Sequence, residues 1–499
     1  MGILLQTIYP IAKCLSLIYF WWIDFIFNFY YFFHRRPYVQ RPDDDLLLIS
    51  ATDAASMIRQ RQLTSSELIS AYISRIHIVN PVLNAVVQDN FEGAQKQAAE
   101  IDAYLENLDK NSDEYKKLPE TKPLLGIPFT IKDTYAVKGF RLTAGIYARR
   151  NVIADYDSDV VKNMKDSGAI LLAITNVPEA AFWYESNNRI YGRTKNAYDT
   201  RRISGGSSGG EGAIIGAAGS CIGIGSDIGG SIRIPALCNG VFGLKPSEGA
   251  ISLNGHHPNF KGGYAKRMCT GGPLCRYAKD LSIFFRVMAG NDIAENRFRL
   301  SKPVSMNKLR FFYMEGLNSF LVEPLDKKVK ATMIKSVKYF EKKYDTSVYR
   351  VDFSRLHHAV MIYVASLGET KEAPFAHLLK DAEGDFNIVV EFIKNLFGKS
   401  DITYPSLLLL ALDKLPTLDS ETQKFIESSR DQLRREINDL LKDDGILIFP
   451  SWPTLPPFHN KPIATWWSFM YTGIWNALRL PAIICPMGLN ENGLPLTSH

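Results

Sequence analysis

Two passages of the sequence place polar side chains where chemistry could take place. The first, residues 126–133 (GIPFTIKD), reads as a buried strand that ends in charge, with Lys132 beside Asp133. The second, residues 204–249, is rich in glycine and serine and much denser in glycine than its surroundings. Several polar side chains stand among the small residues of this tract, where a purely structural role explains them poorly: Ser207, Ser208, Asp227, Ser231 and Arg233.

Glycine-rich tracts often bind nucleotides, but this one fits neither common pattern. A P-loop requires G-x-x-x-x-G-K-[ST], and no lysine occurs between Lys195 and Lys245. A dinucleotide fingerprint requires G-x-G-x-x-G, and residues 223–229 (GIGSDIG) have one residue too many. The P-loop is therefore excluded, and dinucleotide binding is only weakly supported.

A third pattern within the tract is the nucleophile elbow of α/β-hydrolases. Residues 205–209 (GGSSG) match G-x-S-x-G, but an elbow must follow a buried strand, and here YDTRR (198–202) precedes it. The elbow also needs a triad histidine, usually well downstream. Histidines do occur there, none in a recognisable triad context: His256, His257, His357, His358 and His459. This alternative is weak but stays open.

The elements around the tract predict the fold class. Residues 159–166 read as a capped helix and residues 169–174 as the next strand, and such alternation indicates an α/β fold with a sheet covered on both faces. Residues 301–444 read as long amphipathic helices, and a buried strand (GILIFP, 445–450) follows them. We predict one large mixed-sheet core covered by helices, spanning residues 37–499, with the helical block as a covering element.

Composition and charge narrow the class of protein. A hydrophobic content of 46% and a charged content of 22% are typical of a globular chain. The net charge of +6 is small for 499 residues and forms no basic stripe, so no nucleic-acid partner is expected. The six cysteines contain no CxxC pair, which argues against a zinc site: Cys14, Cys221, Cys238, Cys269, Cys275 and Cys485. A homo-oligomer is compatible with the sequence, which specifies no oligomeric state.

The amino-terminal segment differs from the rest of the chain. Residues 14–33 (CLSLIYFWWIDFIFNFYYFF) are almost all apolar, and a helix of that length reaches across the roughly 30 Å core of a bilayer. Asp24 near its centre costs about 2.5–3.5 kcal/mol on insertion, which the many Phe, Ile, Leu and Trp residues offset. His34, Arg35 and Arg36 follow as a cationic stop. We therefore predict a single membrane anchor over residues 1–36.

Two alternatives for this segment stay open. An apolar helix with a central aspartate can lie in the plane of the interface, or it can dock on the protein's own core. A cleaved signal peptide fits poorly, because no small-residue cleavage site follows the apolar run. The flanking charges do not decide the orientation or the membrane, with Lys13 on one side and Arg35, Arg36 and Arg41 on the other.

A longer composite pattern resembles a known family. GGSSGGEGA (205–213), then GSDIGGSIRIPA (225–236), both preceded by a strand ending in TIKD (130–133), resemble the amidase-signature hydrolases in residues, order and spacing. Further segments are similar to the membrane-anchored second type of fatty-acid amide hydrolase: WYESNNRIYGRTKNAYD (183–199), GPLCRYAKDL (272–281), DDGILIFPSWPTLPP (443–457) and YTGIWNALRLPA (471–482). The resemblance spans residues 46–496, with a similar apolar segment in front.

The resemblance implies a catalytic relay of three residues. Ser231 matches the nucleophile, Ser207 the bridging serine and Lys132 the base. In the family, the peptide bond that corresponds to Gly206–Ser207 is cis. A serine attacks only if its proton is removed, and a buried lysine can accept that proton because burial lowers its pKa. A hydroxyl both donates and accepts, so Ser207 can pass the proton on. No metal or cofactor is required.

The same resemblance implies the groups that surround the relay. Backbone N–H groups would form an oxyanion hole at Ile228, Gly229, Gly230 and Ser231. Ser208, Asp227 and Arg233 are candidates for supporting the relay, and an equally good interpretation is that they staple the loop.

The implied substrates are fatty-acid amides, namely primary acyl amides and N-acylethanolamines. The anchor, the aromatic run 182–184 (FWY) and the apolar helical block agree with a substrate that partitions into membranes. Two alternatives are a catalytically silent membrane-associated protein and the amidase subunit of a tRNA-dependent amidotransferase, which would not need an anchor. Family members continue past GLPL (493–496) with a further strand and helix, so we expect a chain extended by that tail to be more stable.

Overall fold

A computed structural model of the protein describes residues 2–260, 262–369, 375–381, 387–413 and 418–499. Within these residues the central element is an eight-stranded sheet with the order β1-β3-β2-β6-β8-β7-β12-β13. Its strands are β1 (Val86–Asp89), β2 (Pro128–Lys132), β3 (Ile170–Thr175), β6 (Ile222–Asp227), β7 (Phe242–Lys245), β8 (Thr270–Cys275), β12 (Ala482–Leu489) and β13 (Pro495–Ser498). A short hairpin lies apart from it, formed by β4 (Asn187–Asn188) and β5 (Gly192–Arg193).

The sheet is mixed, and its parallel part lies beside β2. Strands β3 and β6 flank β2 and run parallel to it, whereas the neighbouring pairs on either side are antiparallel. Every residue of β2, β3 and β6 is buried. Since successive residues of a strand point to opposite faces, both faces of the sheet must be covered, as the sequence predicts.

Helices supply that cover. The helices of the described residues are α1 (Gly2–Phe32), α2 (Ala51–Arg59), α3 (Ser65–Leu83), α4 (Phe91–Asn107), α5 (Asp113–Thr121), α6 (Asp159–Asp166), α7 (Gly209–Gly216), α8 (Arg233–Asn239), α9 (Gly263–Met268), α10 (Ala278–Ala289), α11 (Lys327–Tyr344), α12 (Ala359–Gly368), α13 (Phe375–Leu379), α14 (Ile388–Leu396), α15 (Tyr404–Asp413), α16 (Ser420–Leu441), α17 (Lys461–Ala464) and α18 (Met470–Ala477). The predicted helix 159–166 is confirmed by α6, and the predicted strand 169–174 by β3, which begins one residue later.

The covering block contains strands that the sequence analysis assigned wrongly. The predicted strand 445–450 is not one of the eight strands of the central sheet, and only its end meets that sheet, where Pro450 forms an isolated antiparallel bridge with Ser498 of β13. It forms β11 (Gly445–Ile448), which pairs in parallel with β9 (Arg310–Tyr313), and β10 (Val348–Arg350) pairs with β9 on its other side. Helix α11 connects β9 to β10, the crossover that parallel strands require. Apolar side chains of α11 and of these three strands form a separate small core. Strand β11 packs into this core and pairs with β9.

The amino-terminal helix is long and exposed. Residues Tyr9–Phe32 of α1 are long and apolar enough to cross a membrane, and only 6% of their most apolar window is buried. The protein's core therefore does not enclose this helix, and docking on the domain stays open beside membrane anchoring. One side nevertheless contacts the domain: Phe20 and Tyr31 are buried, and the ring of Tyr31 stacks on Phe458 at 4.7 Å. The other side exposes Trp21, Trp22, Phe25 and Phe29.

The charged residue within α1 has a partner on the domain. The Asp24 carboxylate accepts from Lys461 Nζ at 2.5 Å, and the same ammonium donates to the buried Glu323 at 2.7 Å. The two carboxylates outweigh the opposing effect of burial and raise the pKa of Lys461. The aspartate within this apolar helix, whose side chain is half exposed, therefore has a cationic partner on the domain.

The last residues lie at the edge of the central sheet. Strand β13 pairs antiparallel with β12, and Phe449 and His499 exchange two backbone hydrogen bonds of 2.9 and 3.0 Å.

Candidate active site

The three predicted relay residues lie where the carboxyl ends of β2 and β6 meet the segments that precede α7 and α8. Lys132 is the last residue of β2, and Asp227 is the last residue of the neighbouring parallel strand β6. Carboxyl ends of parallel strands share one edge of a sheet, so the two side chains lie close together. Ser207 precedes α7 by two residues and Ser231 precedes α8 by two residues. All four side chains are buried.

Lys132 and Ser207 contact each other directly. The Nζ atom of Lys132 lies 2.7 Å from Oγ of Ser207. The Gly206–Ser207 peptide is cis, as the resemblance implies. Gly206 has to be a glycine, because a Cβ atom there would lie 2.6 Å from the carbonyl oxygen of Trp183. The residue before Ser207 therefore packs directly against the backbone of residues 183 and 184.

The environment of Lys132 favours the neutral amine. Burial lowers the pKa of Lys132 from 10.5 to about 7, against the opposing effects of Cys269, Asp227 and Glu211. Of these, Glu211 accepts hydrogen bonds from two threonine hydroxyls, and burial raises its own pKa to about 8. A lysine that loses its proton near neutral pH is suited to general-base catalysis.

A backbone hydrogen bond places the segment that bears Ser231 beside the segment that bears Ser207. The Ser208 N–H donates to the carbonyl oxygen of Ser231 at 3.0 Å, which holds the two serine-bearing segments side by side. Within the described residues, no hydrogen bond joins the hydroxyls of Ser207 and Ser231. The structure thus brings Lys132 and Ser207 into contact and places Ser231 on the adjacent segment. Catalytic hydrogen bonds are often longer without substrate and tighten in the complex.

The four backbone N–H groups of the predicted oxyanion hole differ in whether they already have an acceptor. The Gly230 N–H donates to Oδ1 of Asp227 at 2.7 Å, so this donor is already engaged and is left out of the hole. In the described part of the chain, the N–H groups of Ile228, Gly229 and Ser231 have no protein acceptor. These three remain as the candidate donors, and backbone N–H groups with no acceptor are what a developing oxyanion needs.

Side chains of α12 and α18 hold the loop that carries these donors. The Tyr363 hydroxyl donates to the carbonyl oxygen of Ile228 at 3.2 Å, and Thr472 Oγ1 donates to that of Gly229 at 2.8 Å. A Cβ atom at Gly229 would lie 2.7 Å from the Tyr363 hydroxyl. The carbonyl groups are therefore tied back, and this orients the intervening peptides.

Asp227 and Arg233 form a buried ion pair that staples the same loop. The carboxylate accepts from Arg233 Nε and Nη2, each at 3.0 Å, and from the N–H groups of Gly230 and Ile232. Burial opposes its charge, but Arg233 and these hydrogen bonds outweigh that effect and lower the pKa of Asp227. Asn476 donates to Asp227 and accepts from Arg233. These contacts match the interpretation of both residues as loop staples.

Sequence reasoning missed two residues beside the predicted base. Ser226 Oγ lies 3.0 Å from Lys132 Nζ, and His256 Nε2 lies 2.9 Å from Ser226 Oγ. Ser226 stands inside the GSDIGGS motif, so its position next to Asp227 was a usable signal. His256 follows a loop and reaches the site only through tertiary packing, so no local pattern pointed to it. Among the described residues, no cluster of His, Cys, Asp or Glu could hold a metal ion.

Comparison with known proteins agrees with this geometry. The sequence profile of the Amidase family matches residues 67–497, a range that contains all of these side chains. The chain belongs to the amidase family. As a member, it is a hydrolase acting on carbon–nitrogen amide bonds.

Individual relatives of this amidase cover most of its length. Fatty-acid amide hydrolase 2 of Homo sapiens is 41% identical over 455 residues, which are 90% of this chain and 84% of the human protein. Fatty-acid amide hydrolase 2-B of Danio rerio is 39% identical over 456 residues, covering 90% and 85%. The solved structure of a fatty acid amide hydrolase superposes with a TM-score of 0.70 at 22% identity, covering 91% of this chain and 81% of that one. The amidase therefore shares that fold.

Proposed function

We propose that this amidase hydrolyses fatty-acid amides, both primary acyl amides and N-acylethanolamines, through an acyl-enzyme on Ser231. The observation that carries the proposal is the buried contact of 2.7 Å between Lys132 Nζ and Ser207 Oγ, next to the segment that bears Ser231. A neutral amine held against a hydroxyl beside a second serine is an arrangement for activating a nucleophile.

The reaction follows from this arrangement. Ser231 Oγ attacks the amide carbonyl carbon while its proton passes to Ser207, whose own proton passes to Lys132. The negative oxygen of the tetrahedral intermediate accepts from the N–H groups of Ile228, Gly229 and Ser231. The proton then returns along the same path to the leaving nitrogen, the carbon–nitrogen bond breaks, and an acyl ester remains on Ser231. Water activated by the same base cleaves that ester and releases the fatty acid.

The aromatic side chains around the loop support an apolar acyl group. Phe469 lies beside Gly229 and packs edge-on against Tyr363, with ring centroids 5.2 Å apart. The ring centroids of Tyr184 and Phe469 lie 6.0 Å apart, and those of Trp183 and Trp466 lie 5.0 Å apart. Such a wall favours alkyl chains over polar groups. The names of the relatives, fatty-acid amide hydrolases, point to the same substrate class.

Chain-length dependence tests the proposed substrate class. We expect kcat/KM for a long-chain primary amide such as oleamide to exceed that for butyramide by more than about 100-fold, because each buried methylene contributes about 0.8 kcal/mol. Ammonia release measures both reactions in detergent. Equal values for the two amides would contradict the lipid substrate, and hydrolysis of neither would support the catalytically silent alternative.

A second exposed apolar surface supports membrane association. Helix α14 and the residue after it expose Val389, Phe392, Ile393, Leu396 and Phe397. A contiguous apolar patch on a soluble surface usually marks an interaction site. We propose that the anchor α1 and this patch both bind the membrane on which the substrate resides.

Vesicle sedimentation tests that arrangement. Deleting residues 1–36 is expected to reduce binding to lipid vesicles without abolishing it, because the α14 patch remains. Adding Phe392→Glu and Phe397→Glu to the deletion should release the protein into the supernatant. Lys394→Glu serves as the control on the same helix, since its ammonium already pairs with Glu391 at the surface. Complete release by the deletion alone would remove α14 from the proposal.

A further inference from the structure

Two hydrogen bonds connect His256 to the proposed base through Ser226, and a third holds the imidazole on the backbone. His256 Nδ1 lies 3.0 Å from the carbonyl oxygen of Pro258, and Nε2 lies 2.9 Å from Ser226 Oγ. Ser226 Oγ lies 3.0 Å from Lys132 Nζ. The imidazole is 6% exposed and packs edge-on against the ring of Tyr135, with centroids 4.9 Å apart. The three groups thus form one buried chain.

The direction of each hydrogen bond in this chain is determined. A carbonyl oxygen only accepts, so His256 Nδ1 carries the proton that it donates to Pro258. Burial, together with the nearby Lys132, lowers the pKa of His256 to about 3, so the ring is neutral and Nε2 is an acceptor. The single hydroxyl proton of Ser226 therefore goes to Nε2. Ser226 Oγ can then only accept from Lys132.

These directions determine whether a hydrogen or the lone pair of the Lys132 amine faces Ser207. A neutral amine has two hydrogens and one lone pair. One hydrogen is donated to Ser226 Oγ at 3.0 Å, and the second faces the carbonyl oxygen of Ser226 at 3.5 Å. The lone pair then remains for the Ser207 hydroxyl at 2.7 Å. That is the orientation in which Lys132 can take up a proton.

We propose that His256 is a positioning residue which, by engaging the Ser226 hydroxyl proton, keeps the lone pair of Lys132 aimed at Ser207. The inference rests on the proposed function of Lys132 as the base and adds a residue that sets its orientation. Without an acceptor at position 256, the Ser226 hydroxyl is free to turn and donate to the same lone pair. The hydroxyls of Ser226 and Ser207 then compete for one acceptor.

Two substitutions at position 256 separate this role from mere packing. His256→Phe fills the space but offers no acceptor, and we expect kcat to fall by about 10- to 100-fold with KM nearly unchanged, the range of a misdirected hydrogen bond to a reacting group. His256→Gln places an amide oxygen that accepts from Ser226, so kcat should stay within about threefold of the wild type. Equal losses in both variants would overturn the proposal, as would full activity of His256→Phe.

The Ser226→Ala background provides the decisive comparison. Removing the Ser226 hydroxyl removes the competitor, so adding His256→Phe to Ser226→Ala should cause no further loss of kcat. A further loss of tenfold or more would assign His256 a structural role. If His256→Phe fails to fold in a thermal melt, the same comparison is made with His256→Leu. Hydrolysis by the wild type and its loss in Ser231→Ala test the proposed function separately, so the two failures are distinguishable.

The pH profile gives an independent readout. A hydrogen bond from Ser226 to the neutral amine favours the neutral form, so the acidic limb of kcat should move to lower pH in His256→Phe while its plateau falls. The titratable groups facing Lys132 are Glu211, Asp227, Cys269 and His256, and those facing His256 are Lys132, His257 and Tyr135. All but His256 are unchanged in the variant. An unshifted limb would contradict the proposed redirection.

Discussion

Ser231→Ala is expected to lower kcat for amide hydrolysis by about 10⁶-fold, and Lys132→Met by about 10⁴-fold or more. Methionine fills the space of the lysine stem and removes the amine that contacts Ser207. Both residues belong to the relay proposed above, so the double variant should be little worse than Ser231→Ala alone. Single-turnover kinetics with a primary acyl amide measure all three rates.

A serine-directed probe separates the two roles. A fluorophosphonate should label the wild type, and Ser231→Ala should remove the label. Ser305→Ala, at an exposed serine, should keep it. Persistent labelling of Ser231→Ala would show that another residue is the nucleophile, and full activity of Lys132→Met at neutral pH would remove Lys132 as the base.

The pH dependence of the wild type follows from the same lysine. The neutral amine is the active form, and its pKa of about 7 means that the protonated, inactive form dominates below that pH. The kcat/KM should therefore rise as the pH increases through about 7 and reach a plateau above about 8. A rate that falls over this range would contradict a neutral lysine base.

Arg233→Met is expected to lower the free energy of unfolding by about 3–5 kcal/mol, because it leaves the Asp227 carboxylate buried without its cation. Both side chains of this pair are fully buried. The matched control is Arg267→Met, whose guanidinium pairs with Glu248 at 2.8 Å on the surface. That exposed pair should contribute less than about 1 kcal/mol. Chemical denaturation in detergent at neutral pH measures both variants.

Lowering the pH should reduce the difference in free energy of unfolding between the wild type and Arg233→Met. The pKa of Asp227 in the folded protein lies below its unfolded value of about 3.9. The stability that this carboxylate contributes is therefore present above pH about 4 and is lost as the pH falls toward the folded pKa. Without Arg233 the pKa of Asp227 in the folded protein rises. As the pH falls, the carboxylate is then protonated at a higher pH than in the wild type. A difference that does not change between pH 7 and pH 3.5 would argue against the ion pair as its source.

The order and spacing of the motifs determined much of this protein. The relay of Lys132, Ser207 and Ser231 was predicted from the resemblance to the amidase signature, whose motifs at 130–133, 205–213 and 225–236 are each continuous in sequence. The α/β class and the apolar helix followed from alternation and length. These features depend on neighbours along the chain, which the sequence displays directly.

Tertiary structure decided what depends on distant partners. Three contacts could not be predicted from the sequence and are seen only in the folded chain. They are the hydrogen bond from the Gly230 N–H to Asp227, the pairing of β11 with β9, and the ion pair between Asp24 and Lys461. The approach of His256 to Ser226 is a fourth such contact. Periodicity and motifs describe which face of an element is apolar, but they do not say which donor meets which acceptor. That choice is made by packing, because each buried polar group must find a partner among whatever the fold brings near it.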